Sequence, residues 1–154
     1  MSTADLPGAG TRGMTWPQQV AMVFGAIYTL VGLIGFFITG FDNFFGHTGE
    51  SLAGFMINPM HNLVHIVVGV AGLALARTLA GARTYGWLLA AGYGAAFVYG
   101  LFAVGQDWDF LNLNWADNIL HLVTAVVGVV IALGKVNGVA TARGRDASLG
   151  GSRR

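Results

Sequence analysis

The chain has 154 residues, 55% of them apolar and only 10% charged, with a net charge of +1 and a mean hydropathy of +0.63. A soluble domain carries roughly 25% charged residues, and a chain this short leaves much of its surface outside any core. The composition therefore excludes a disordered chain, a nucleic-acid binder and most water-soluble enzymes, and makes a lipid bilayer the natural solvent.

Taken in chain order, residues 1–16 form a short N-terminal arm, followed by apolar runs at 17–39, 59–76, 85–104 and 115–134. The first run is too long and too aromatic for a signal peptide. Each run is near the roughly 20 residues that cross about 30 Å of hydrocarbon. The expected fold is all-α: an integral membrane four-helix bundle. Residues 135–154, rich in Gly, Ser, Ala and Arg, read as a disordered basic tail able to meet anionic headgroups.

The basic residues Arg12, Arg77, Arg83, Lys135, Arg143, Arg145, Arg153 and Arg154 fall in the arm, the connector between the second and third runs, and the tail. The other two connectors carry Asp42, Glu50, Asp107 and Asp109 with no Lys or Arg. This asymmetry predicts that both termini are cytoplasmic. Trp16, Trp87, Trp108 and Trp115 lie near expected helix ends, where interfacial tryptophans belong.

Sliding the chain by 56 positions brings Asn58, Asn62, His65 and Gly72 onto Asn114, Asn118, His121 and Gly128, with His61 on Asp117. The first and third helices match more weakly, through Gly32-Leu33 against Gly100-Leu101, with the 40–58 connector longer by 12 residues. The pattern predicts two pseudo-repeated hairpins about an axis along the membrane normal. If the second and fourth helices meet at that axis, His65 and His121 approach one another near the outer surface.

Asn58-Pro59 has the form of a helix N-cap followed by proline at the first helical position. Asn114 plays the cap role for the fourth helix, with Asp117 complementing the positive end of its dipole. His61 and His65, four residues apart, share a face that continues to Gly69 and Gly72. On the fourth helix the same progression runs through Asp117 and His121 to Gly128, so the polar groups are expected inside the bundle, above small packing residues. One reading is a hydrogen-bonded staple of Asn, His and Asp between the second and fourth helices. The other is a divalent metal held by His61, His65, Asp117 and His121, or a b-type haem ligated by His65 and His121. With no cysteine in the chain, disulfides, iron–sulfur clusters and thiolate ligation are excluded, which leaves such residues as the only ligands.

His47 reads as a loop residue, and Tyr28, Tyr93 and Tyr99 as packing or interfacial residues. The connector 40–58, with Phe41, Phe44, Phe45, Phe55 and Met56, is too apolar for an aqueous loop. It is expected to lie on the membrane, fold over the bundle or contact another protein. The chain has no Gly-x-Ser-x-Gly, P-loop or dinucleotide fingerprint.

The string Asn58-Pro59-Met60-His61-Asn62-Leu63-Val64-His65, followed by Gly69 and Gly72, together with Ala116-Asp117-Asn118-Ile119-Leu120-His121, resembles the bacterial membrane family called domain of unknown function 4383. The resemblance covers about residues 17–134. It implies a four-span protein of a bacterial, largely actinobacterial, cytoplasmic membrane, and implies no activity. The expected function is that of a non-enzymatic accessory or stabilising subunit of a larger envelope assembly, such as a lipid importer or respiratory complex. Its expected partners are membrane lipids and other integral membrane subunits, not nucleic acid. The rivals are a haem- or metal-binding redox or sensor protein and a lipid or small-solute binder using a cleft between the hairpins.

Overall fold

The computed structural model describes residues 13–136; the expected basic arm and disordered tail lie, but for their innermost residues, outside the described residues. In chain order the elements are α1 (Trp16–Thr39), β1 (Ser51–Leu52), β2 (Phe55–Met56), α2 (Pro59–Leu75), α3 (Leu79–Ala103) and α4 (Trp115–Leu133). The protein is an all-α bundle with one two-residue antiparallel β-hairpin in its longest connector. Helices α1, α3 and α4 are long and apolar enough to cross a membrane, while α2 is shorter. Its 17 residues rise only about 25 Å, so folded connector covers the end of the bundle beside it.

The helices start where local chemistry can satisfy their first amides. Asn58 Oδ1 accepts from His61 N at 2.8 Å, with Pro59 opening α2. Asn114 Oδ1 accepts from Asp117 N, and Asp117 Oδ2 accepts in return from Asn114 N, both at 3.0 Å, forming a capping box on α4. The third helix departs from expectation by starting at Leu79 rather than Tyr85. Thr78 Oγ1 accepts from Gly81 N at 3.0 Å and nucleates the extra turns. Arg83, assigned by its charge to the connector, rides on the helix instead. Its guanidinium donates to Gly134 O at 3.3 Å, near the exposed carbonyl end of α4.

The bundle is two tightly packed hairpins, α1–α2 and α3–α4, that meet more sparsely. Glycine permits the tight packing: a Cβ built on Gly25 would stand 2.6 Å from Leu73 N, and one on Gly128 the same distance from Ala90 N. Gly69 packs against the α1 backbone, and Gly72 against Gly25 and the Tyr85 ring. Between the hairpins, α1 approaches α3, whereas α2 and α4 have no Cα–Cα approach within 8 Å among the described residues. The axis is therefore lined by α1 and α3, not by α2 and α4 as the sequence pattern suggested.

Connector 40–58 folds over the bundle, one of the three expected outcomes. Met60 N donates to Phe44 O at 3.1 Å. Asn58 Nδ2 donates to Gly46 O and Phe110 O, Asn112 Nδ2 to Ile57 O, and Asn114 Nδ2 to Gly54 O, at 2.8–3.1 Å. These asparagines join the two connectors into one cap.

Candidate functional site

The core of the bundle sets three tyrosines, Tyr28, Tyr85 and Tyr93, among small and aliphatic residues such as Ala21, Ala82, Leu89 and Ile131. Tyr28 of α1 and Tyr93 of α3 stack across the axis with centroids 5.3 Å apart and planes at 25°. Each tyrosine also packs on an imidazole from the other helix of its own hairpin: Tyr28 on His65 at 5.3 Å, Tyr93 on His121 at 5.4 Å. His61 joins the group, 4.5 Å from His65 and 6.1 Å from His121. The three histidines do come together, but by reaching in from flanking helices that themselves stay apart.

This arrangement corrects the expected staple. Among the described residues no side-chain hydrogen bond joins α2 to α4; the bond across the hairpins at this level is Tyr28 Oη with Thr124 Oγ1, at 2.9 Å. Asn62 Nδ2 donates to Thr39 Oγ1 at 3.0 Å, tying α2 to α1 instead. Asn118 is buried against Gly100 on α3, with neither amide atom partnered. Asp117 is engaged by backbone instead: its Oδ2 accepts from Met56 N at 3.1 Å and from Asn114 N, anchoring β2 to the start of α4.

The metal reading loses its carboxylate for the same reason. Among the described residues no three His, Asp or Glu side chains are arranged to hold a metal ion. His47 is an exposed connector residue whose carbonyl accepts from Asn43 Nδ2.

Two apolar cavities flank the ring cluster. One, of about 320 Å³, lies between α2 and α3 and is lined by His61, His65, Tyr85, Tyr93 and His121 together with Val64, Val67, Val68, Ala71, Leu88, Leu89, Gly92, Ala96 and Leu111. The other, of about 340 Å³, lies between α1 and α4 beneath the β-hairpin, with Tyr28, Thr124, His65, Tyr93, His121 and Asp117 among apolar residues including Leu52 and Phe55. They differ in hydrogen bonding. Tyr28 and Thr124 satisfy each other in the second cavity. The Nδ1 atoms of His61, His65 and His121 and the hydroxyls of Tyr85 and Tyr93 are buried without partners; His65, Tyr93 and His121 line both cavities, His61 and Tyr85 only the first. Four of those five side chains are no more than 6% exposed.

Tyr85 and Thr124 were not anticipated as site residues, and Tyr28 and Tyr93 were read as packing. One signal was present: tyrosines favour the ends of spans, where the hydroxyl meets water, yet Tyr28 and Tyr93 lie near the middles of α1 and α3. Asp109 and Asn112 were missed as well. Asp109, 1% exposed, accepts from Leu113 N at 2.6 Å, Leu111 N at 3.1 Å and Tyr99 Oη at 3.2 Å, fixing the turn that delivers α4.

The fold and site define a compact helical membrane protein with a buried imidazole–phenol cluster between two helical hairpins. The family model described as Domain of unknown function (DUF4383) matches residues 18–134, and the chain belongs to that family. No curated protein and no solved structure matches the chain.

Proposed function

We propose that this is a small non-enzymatic membrane protein that holds a lipid-soluble small molecule beside its histidine–tyrosine cluster. One observation carries the reading: the five side chains that each hold a buried polar atom without a partner all line the apolar cavity between α2 and α3. In hydrocarbon no bulk water can satisfy such groups, and each costs up to several kcal/mol until something pairs with it. An apolar cavity with a few convergent polar groups is the usual form of a small-molecule site. The protein, purified in mild detergent at native expression and extracted with organic solvent, is expected to yield one molecule near stoichiometric with the chain. Extracts matching the bulk membrane lipids would overturn the reading.

An accessory role in a larger envelope assembly is supported by a different feature. Phe41, Phe45, Trp108 and Phe110 form an exposed aromatic rim on the capped end, next to Asp42 and Asp107. Co-purification of the same membrane protein in several mild detergents is expected on this reading, and migration as a lone monomer contradicts it.

We also infer that the hairpins descend from a duplication. The support is the matched Tyr28–His65 and Tyr93–His121 pairs, and Asn62 against Gly35 as Asn118 lies against Gly100. These equivalences align α1 with α3 at a shift of 65 positions, Tyr28 onto Tyr93, rather than through Gly32 onto Gly100. The charge distribution supports a cytoplasmic-membrane protein with the cap outside and the chain ends inside.

A further inference from the structure

We propose that the cavity between α2 and α3 receives the ring of a lipid-soluble quinone, whose tail leaves toward the acyl chains past Val67, Leu88 and Gly92. This rests on the reading above and adds the site and the chemical class. The cavity is lined by no Lys, Arg, Asp or Glu. A phosphate, carboxylate or ammonium head would be buried there without a counter-charge, so the occupant is neutral.

Its polar edge must meet both donors and acceptors. The hydroxyls of Tyr85 and Tyr93 can donate, and each imidazole Nδ1 donates or accepts according to its tautomer. A quinone offers carbonyl oxygens at opposite ring edges, and its reduced form offers hydroxyls at the same places. The partners sit on different helices, Tyr85 and Tyr93 on α3, His61 and His65 on α2, His121 on α4, so both edges of a flat ring can be engaged at once. The walls are themselves flat rings, which suits offset or edge-to-face stacking. A cavity of about 320 Å³, at the low end of ligand sites, takes a ring and the beginning of a tail and is too small for a whole phospholipid.

The route to the lipid is visible in the side chains. Val67 and Leu88 are 60% and 54% exposed, and Gly92 is exposed with nothing within 4 Å of where its Cβ would stand. The cavity therefore opens sideways between α2 and α3. The α1–α4 cavity shares His65, Tyr93 and His121 but lacks His61 and Tyr85, and the hydroxyls of Tyr28 and Thr124 already satisfy each other there.

The test places the full chain in nanodiscs of neutral phospholipid and titrates a benzoquinone bearing a ten-carbon tail, read by quenching of tyrosine and tryptophan fluorescence. Saturable binding is expected. Tyr93→Phe should weaken it about tenfold, the loss of one or so hydrogen bonds. Gly92→Phe should abolish it by filling the portal, with helicity retained because the added ring meets open space. Val123→Phe, on the wall of the α1–α4 cavity, should leave it unchanged. Quenching that never saturates, or that responds to Val123→Phe and not to Gly92→Phe, overturns the assignment. Extraction of the native protein separates the two levels: a stoichiometric molecule of another class overturns the quinone and keeps the binding reading, whereas bulk lipid alone overturns both.

Discussion

Asn62 and Asn118 occupy matching places against glycines of the neighbouring helix, yet their amides fare differently. Asn62 donates through Nδ2 to Thr39 Oγ1 while its Oδ1 is buried without a partner, and both amide atoms of Asn118 are buried without partners. An unpaired buried polar group costs about 1–3 kcal/mol, whereas a hydrogen bond between helices in a membrane contributes about 0.6–2 kcal/mol. Asn118→Leu, which keeps the shape and removes the unpaired atoms, is therefore expected to leave the thermal midpoint in detergent unchanged or higher. Asn62→Leu removes one unpaired atom but loses the Thr39 bond, so its midpoint is expected to lie below that of Asn118→Leu by the equivalent of about 1 kcal/mol or more. The reverse order would mean that Asn118 has a partner in the membrane. The same reasoning revises the role of His65 and His121: their Nδ1 atoms hold no interhelical bond to lose, and their contribution to the bundle is ring packing on Tyr28 and Tyr93.

At the level of whole helices, stability rests on backbone approach within each hairpin. Gly25 and Gly128 sit at these crossings, where an added Cβ would meet backbone atoms that have nowhere to retreat. Gly25→Ala and Gly128→Ala are each expected to destabilise the bundle by about 1–3 kcal/mol through overpacking. Gly92→Ala, in open space on α3, should be neutral or stabilising by up to about 1 kcal/mol because alanine favours the helix. Thermal midpoints of the three variants, with circular dichroism confirming helicity, check this; equal losses in all three would remove the close-approach argument. Helix boundaries were legible from apolar length and from the Asn58-Pro59 and Asn114 caps, all short-range signals. The start of α3 was not, because Arg83 marked a connector by charge while the Thr78 cap and the Gly134 carbonyl kept it helical.

For the molecule as a whole, the rings of His65 and His121 both lie near that of His61, but the helices behind them are arranged otherwise than the sequence pattern suggested. Equivalent residues reveal which faces are alike; they do not say which pair of helices lies nearer the axis, since that depends on side-chain bulk and reach. Here Tyr28 and Tyr93 stack at the centre, and imidazoles span the wider separation of α2 from α4. The tyrosines had no repeated motif to advertise them, and the unpartnered hydroxyls emerge only once all four helices are assembled. Orientation is the remaining whole-molecule property, and it is directly testable because the chain contains no cysteine. Ser51 is exposed on the capped end and Lys135 on the opposite end. With basic residues on the side of the chain ends and acidic ones on the cap, the cap should face outward. A membrane-impermeant maleimide is expected to label Ser51→Cys in intact cells and Lys135→Cys only after permeabilisation. The opposite pattern would invert the topology, and would place the aromatic rim of Phe41, Phe45 and Trp108 in the cytoplasm, where an outer-face partner could not reach it.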